Sequence, residues 1–283
     1  MRKKISQLRE HRTRAGEHPG LILQRYAFRS PVGEDGQEER EQLLSAACNA
    51  ACRPELRELY KKAFERWKNV VQRLGAKTCE LRCDGRLIVG LGSENILEAG
   101  LTLHHTYGIP VIPGSALKGT AASYCHHVWG ARDGCFREPS EKAEKQYLKY
   151  LEGRSDLPEE GKYYRILFGS TNDRGCITFY DAWYVPESAS APLERDVMTP
   201  HHMDFNRDVD DPKFAAPSDF DSPNPVTFLS VTGKFLFAVR WSGPPCGEAG
   251  RWTELALELL RRTLADHGVG GKTRSGYGQF TTA

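Results

Sequence analysis

The chain has 283 residues, a formal net charge of +2, and 39% hydrophobic against 27% charged residues, a balance suited to a soluble globular protein with a substantial core. No apolar run approaches the roughly 18 residues of a membrane span, and MRKKISQLREHRTRAGEH lacks the apolar stretch of a secretory signal, so a cytoplasmic protein without membrane contact is expected. The small net charge excludes neither nucleic acid nor protein partners, because a local basic surface is enough to neutralise phosphates.

Residues 1–20 carry six Lys or Arg (2, 3, 4, 9, 12 and 14) against Glu10 and Glu17, and read as a solvated basic tail or an RNA-contacting arm. Leu21-Ile22-Leu23 opens a short apolar segment able to dock on the core. From Glu38 to Leu74, apolar residues recur at three- and four-residue spacing, and Pro54 divides the stretch into two helices whose stripe is a packing surface. Lys77 to Leu91 switches to strand alternation through Cys79, Leu81 and Cys83, with Asp84-Gly85 as a hairpin signal. The eight cysteines carry no disulfide message in a reducing compartment, and neither Cys48/Cys52 nor Cys79/Cys83 has the spacing of a zinc knuckle. They are read as small buried hydrophobes, and no metal or cofactor is expected.

Ile109 to Gly114 reads as extended, and Ser115 as the N-cap of a helix over 116–129 with Leu117, Ala121, Tyr124 or Cys125, and Val128 inside. Lys118 in its first turn opposes the helix dipole, which a bound anion would relieve, and Gly119 makes room for a close backbone approach. Residues 131–165 are polar and read as an inserted helix with loops. Gly175 to Pro186 alternates as a strand, 196–225 is a long Pro- and Asp-rich insertion, Val226 to Trp241 returns to strand, and Trp252 to Asp266 is amphipathic helix. The chain closes with a glycine-rich stretch, 268–278, and a strand from Tyr277 to Thr281. The expected class is therefore α+β, a ferredoxin-like (RRM-like) βαββαβ core over 77–283, with helical N-terminal additions over 1–76 and insertions at 131–165 and 196–225.

Five glycines between Gly268 and Gly278 flank Lys272, Thr273 and Arg274, the composition of a phosphate-binding loop. A nucleotide P-loop is excluded, because Asp266 stands where its first glycine belongs and the stretch follows a helix instead of opening one. The alternatives left are a glycine-rich helix stop and a clamp on a nucleic-acid backbone.

The glycine loop, together with Ile112-Pro113-Gly114-Ser115-Ala116-Leu117-Lys118-Gly119, resembles the RAMP superfamily of CRISPR-associated RNA-binding proteins. More narrowly, Gly90 to Asn95, Leu103 to Pro110, Asp196 to His201 and Phe228 to Val231 resemble the family of sixth subunits of type III-B Cmr effector complexes, over residues 85–280. The resemblance implies a non-catalytic guide-RNA-binding subunit that caps the effector filament near the 3′ part of the guide and helps hold the guide–target duplex in antiviral defence. Its implied partners are guide (CRISPR) RNA, target RNA and other RAMP subunits. It also implies phosphate contacts at Ser115, Lys118, Gly268, Gly270, Gly271, Lys272, Thr273 and Arg274. A thumb would carry Met198, His201, His202, Met203 and Phe205.

The histidine pairs 104–105, 126–127 and 201–202 raise an alternative, a RAMP-type endoribonuclease that processes CRISPR transcripts with His104 or His105 and Tyr107 moving protons. A thumb acid such as Asp204 is a further nuclease candidate, and a pure protein-interaction module is a third class. No spacing in the sequence sets either pair of groups beside a scissile phosphate.

Overall fold

The computed structural model describes residues 18–25, 36–92, 97, 100–199 and 225–282. Three helices come first, α1 (Pro19–Arg25), α2 (Gln37–Ala51) and α3 (Pro54–Arg73). Pro54 sits in the first turn of α3, where its missing N–H leaves no helical bond unmade, so the long apolar pattern splits there as its composition requires. The remaining elements are β1 (Lys77–Asp84), β2 (Val111–Ile112), α4 (Gly114–Tyr124), α5 (Glu141–Leu151), α6 (Lys162–Phe168), β3 (Ile177–Phe179), β4 (Ala182–Tyr184), β5 (Leu193–Met198), β6 (Val226–Val231), β7 (Lys234–Trp241), α7 (Ala249–Asp266) and β8 (Gln279–Thr282).

The main sheet is antiparallel and is built around β7, the strand buried on both faces. β1 pairs with one edge of β7, β3 and β4 with the other, β8 with the far side of β1, and β2 with β4. In chain order β1, α4, β3 and β4, β7, α7 and β8 run strand, helix, strand, strand, helix, strand.

Register decides which side chains share a face. Cys79 opposite Phe237, Leu81 opposite Phe235, Cys83 opposite Phe280 and Phe179 opposite Val239 form one apolar layer. Helix α7 brings Ala256, Leu259, Leu260 and Leu264 onto it, all fully buried, and Phe280 meets the rings of Phe235 and Phe237 edge-on at 6.0 and 5.3 Å. At roughly 2 kcal/mol for each large apolar side chain removed from water, this layer is the main source of stability in the sheet. The other face carries Glu80, Leu236 and Trp183 and is covered by α3: Trp67 stacks on Trp183 at 5.1 Å, Tyr60 stacks on it at 5.9 Å, and Lys68 reaches Glu80 at 3.9 Å.

Several boundaries differ from expectation, each for a local reason. Gly85 takes φ +76° but makes no hairpin, because both edges of β1 are already occupied by β7 and β8. The chain instead leaves the strand, and Leu87 pairs with Val231. The stretch read as one strand from Gly175 breaks at Tyr180-Asp181, where Asp181 turns aside to accept the Gly114 N–H at 2.7 Å. The stretch from Val226 to Trp241 is two strands, separated at Gly233 with φ +112°. The last strand starts at Gln279, because Tyr277 belongs to the glycine loop. The expected single helix over 116–129 is an α-helix followed by a π-turn, Cys125–Trp129.

β5 and β6 form a separate antiparallel ladder, paired from Leu193 opposite Val231 to Met198 opposite Val226. The expected insertion leaves from the end of this ladder. Its residues 200–224, including His201, His202, Met203, Asp204 and Phe205, lie outside the described residues, as does most of the basic tail. No helix among the described residues is long and apolar enough to cross a membrane.

Candidate nucleic-acid interface

The glycine loop begins where α7 ends. Gly268, at φ +73°, donates its N–H back to Thr263 O at 3.0 Å, and the chain turns to run along the backbone of residues 86–89. Val269 N–H donates to Gly278 O (2.9 Å), Gly278 N–H to Arg86 O (2.7 Å) and Gly271 N–H to Ile88 O (2.8 Å). These contacts explain the glycines sterically: an added Cβ at Gly270 would collide with Ile88 O, and one at Gly278 with Val269 O. Part of the glycine density therefore comes from close approach of protein to protein. Of the glycines named above as phosphate contacts, Gly268 and Gly271 donate their N–H groups to Thr263 O and Ile88 O.

Beyond that anchored base, the loop tip is open. Lys272 has φ +57°, an uncommon left-handed conformation for a residue with a side chain, and Thr273–Ser275 form one 3₁₀ turn. The N–H groups of Gly270, Lys272, Thr273 and Arg274 have no hydrogen-bond partner among the described residues. A groove of about 550 Å³ lies against this tip, lined by Thr120 of α4, Asp266, His267, Gly268, Val269, Gly270, Thr273, Arg274 and Gln279. The glycine loop and the helix after the extended segment therefore converge on one concave surface.

Ion pairing separates some of the cations, although others far from the loop, such as Lys62 and Arg73, are no more paired among the described residues than those at the loop. Arg86, Arg165, Arg195 and Arg262 are each held by a carboxylate, whereas Lys118, Lys272 and Arg274 have none among the described residues. Thr273 and Arg274 line the groove directly, with Gly268 and Gly270. Gly271, Lys272, Lys118 and Ser115 do not line it. Ser115 is also not the N-cap: α4 starts at Gly114, Pro113 precedes it, and Asp181 supplies the acceptor that a serine cap would have provided. Ser115 is exposed in the first turn, and an added Cβ at Gly119 would meet no protein atom.

Behind the loop, Tyr277 ties it to the β5–β6 ladder. Its hydroxyl donates to Asp196 Oδ2 at 2.7 Å, and its ring lies 6.2 Å from that of Phe228. Arg86 binds the same ladder through Glu194 at 2.9 Å, Asp196 at 3.7 Å and Ser230 Oγ at 3.0 Å. Sequence reading singled out none of Arg86, Glu194 or Tyr277, because a contact across 81 or more residues leaves no local pattern.

The histidine candidates sit elsewhere. His104 packs tilted against Tyr107 at 4.7 Å and meets Trp183 edge-on at 4.9 Å, on the sheet face covered by α3. Its Nδ1 accepts the Thr106 N–H at 3.2 Å, and burial pulls its pKa below the ordinary histidine value, opposed by Asp181 and reinforced by His105. His104 and His105 line a small cavity of about 50 Å³ with His18 and share none of the lining of the glycine-loop groove. His126 accepts the Glu138 N–H at 3.0 Å within the π-turn. Cys79 and Cys83 are buried in the sheet, and burial raises both thiols, Cys83 to about 12.

Residues 80–281 match the RAMP superfamily. The CRISPR system Cmr subunit Cmr6 of Pyrococcus furiosus is 30% identical over 253 residues, covering 79% of this chain and 73% of that protein. Among solved structures, a chain of the type III-B Cmr-beta complex bound to cognate target RNA shares the fold with a TM-score of 0.60 at 16% identity, covering 99% of this chain and 89% of that one. The crystal structure of Cmr6 from Pyrococcus furiosus aligns with a TM-score of 0.44 at 25% identity, over 74% of this chain and 98% of that chain. The chain belongs to the RAMP superfamily.

Proposed function

We propose that this chain is a non-catalytic RNA-binding subunit of a type III-B CRISPR effector complex, working in the cytoplasm with guide RNA, target RNA and other RAMP subunits. Its similarity to Cmr6 supports the assignment to the complex. The observation that carries RNA binding is the open groove at the glycine-loop tip, with backbone N–H groups and the charges of Lys272, Arg274 and Lys118 that have no partner among the described residues. Cations with no carboxylate partner, next to unpaired amides, form a phosphate site. The sheet face that an RNA-recognition module uses for bases is filled here by Trp67 and Tyr60 of α3, so the nucleic acid is directed to the loop.

In this proposal the strand order β4-β7-β1-β8 with α4 and α7 on one face is the ferredoxin-like core, spanning 77–283, and residues 1–76 are accessory helices packed on it. The β5–β6 ladder is the base of the thumb that begins after Met198 and enters the guide–target duplex near the 3′ part of the guide, where the subunit caps the filament. No cofactor takes part.

The test is binding of labelled single-stranded RNA to the full chain over a salt series, in chelator, beside a Lys272→Ala/Arg274→Ala variant. Each lost phosphate contact on a single strand removes about 0.7 from the slope of log K against log salt, so the pair should lower it by about 1.4, roughly 25-fold at 0.1 M salt. An unchanged slope would remove the loop assignment. Defined cleavage products from a CRISPR-repeat transcript would restore the ribonuclease alternative.

A further inference from the structure

Asp266 is the acid in the lining of the glycine-loop groove, set against one cation, Arg274. A carboxylate lining a phosphate-binding surface repels the ligand's backbone, unless it accepts a hydrogen bond that the ligand offers. It is also held in place: the Tyr124 hydroxyl donates to Asp266 Oδ2 at 2.5 Å, and the Tyr124 ring is braced edge-on by His267 at 4.9 Å. Burial, and then the Asp266 bond itself, raise the Tyr124 pKa, which keeps the phenol protonated as a donor. Arg274 lines the same groove yet forms no ion pair with Asp266, and Arg262 on α7 is occupied by Glu258 at 2.8 Å. A fixed acceptor and a guanidinium with no carboxylate partner among the described residues thus line one groove without pairing with each other. A ligand that satisfies both must carry an anion and a hydroxyl or amine donor close together.

We propose that Asp266 makes the groove selective for RNA over DNA by accepting a hydrogen bond from a ribose 2′-hydroxyl while Arg274 and the loop amides hold the adjacent phosphate. This rests on the groove being a nucleic-acid site, as proposed above. The 2′-hydroxyl is a donor beside every phosphate of RNA and is missing from DNA, where Asp266 would keep only its repulsion. Thr120 and Gln279, which share the lining, supply further neutral polar groups to the groove. Tyr124 is then a positioning residue that orients the carboxylate, and Asp266 the one that touches the sugar.

The experiment compares full-length chain binding to fluorescein-labelled adenosine-only single strands of RNA, DNA and 2′-fluoro RNA by anisotropy. The 2′-fluoro strand keeps an RNA-like sugar pucker but has no 2′ donor. The wild-type chain should prefer RNA over both other strands by about tenfold or more, the range of a hydrogen bond to a charged acceptor. Asp266→Ala should bring RNA down to the DNA level and leave DNA binding unchanged or tighter, while Tyr124→Phe should lose part of the preference. An RNA-to-DNA ratio identical in wild type and Asp266→Ala, or 2′-fluoro RNA binding as tightly as RNA, overturns the proposal. If Asp266→Ala does not fold, Tyr124→Phe, which removes the bond that orients the carboxylate, must narrow the gap between RNA and 2′-fluoro RNA, and an unchanged gap overturns the proposal. RNA binding that is absent, or indifferent to Lys272→Ala/Arg274→Ala, is a different failure, because it removes the groove assignment itself.

Discussion

Alanine at Gly278 and alanine at Gly276 look equivalent in sequence and should differ sharply in stability. Both glycines have positive φ, +75° and +85°, so an L-residue at either position carries the left-handed penalty of about 1–2 kcal/mol. At Gly276 that is the whole cost, since an added Cβ meets nothing within 4 Å. At Gly278 the new methyl group would collide with Val269 O and sit 3.1 Å from its carbonyl carbon. The loop must then move away, and the Val269 N–H to Gly278 O bond of 2.9 Å and the Gly278 N–H to Arg86 O bond of 2.7 Å are strained or broken. At about 1 kcal/mol for each bond, Gly278→Ala should cost roughly 3–4 kcal/mol, about 2 more than Gly276→Ala. Urea unfolding followed by far-UV circular dichroism measures both against wild type, with an unchanged m-value confirming the same transition. Equal losses for the two variants would refute the claim that the loop base is pinned by close backbone contact. The same pinning makes RNA affinity fall in Gly278→Ala and survive in Gly276→Ala.

The guanidinium of Arg165 is 5% exposed and is held by Glu144 at 3.2 Å with Glu160 O at 3.0 Å, so Glu144→Gln should leave a buried charge underpaired and cost about 3 kcal/mol, whereas a Glu144→Met/Arg165→Met double variant should recover most of it in thermal unfolding. Tyr277→Phe removes the bond to Asp196 at 2.7 Å without changing ring packing, and should lower the denaturation midpoint by an amount equivalent to about 1 kcal/mol. Acid should weaken the contact between α1 and the 104–105 turn. Burial lowers the pKa of both His18 and His104, so the unfolded chain takes up protons first; their stabilisation is complete above about pH 6.5 and is lost as the pH falls through the lowered native values. A melting temperature that stays flat on acidification in wild type, or falls equally in a His18→Gln/His104→Gln variant, would contradict that account.

The legible parts of this fold are those set by short-range periodicity. The two long N-terminal helices, the α7 stripe from Trp252 to Leu264 and the Cys79-Leu81-Cys83 alternation are each visible within a window of a dozen residues, because each buries one face. What failed depended on neighbours far along the chain. Asp84-Gly85 has the chemistry of a hairpin turn, but β7 and β8 had already claimed both edges of β1. Ser115 has the chemistry of a cap, but Asp181, 67 residues from Gly114, does the capping. In the site itself, Thr273 and Arg274 stood out because they break an otherwise glycine-rich run. Asp266 also drew notice, but only as the residue that ruled out a nucleotide loop, since its place beside Thr120 and Arg274 depends on how α4 and α7 pack.

That packing also leaves the candidate groove away from both faces of the sheet. α3 fills one sheet face with stacked rings, and α4 and α7 fill the other with aliphatic and aromatic side chains, so neither face has room for a base. Open surface is left where helices end and chain turns, at the tip of the loop after α7 and beside Thr120 of α4. Tyr277 and Arg86 bolt that loop to the β5–β6 ladder through Asp196, Glu194 and Ser230, so the segment that leaves the end of the ladder and the loop that carries Lys272 share one rigid base. Four polar contacts, Tyr277 to Asp196 and Arg86 to Glu194, Asp196 and Ser230, therefore join the glycine loop and its neighbour Arg86 to the ladder.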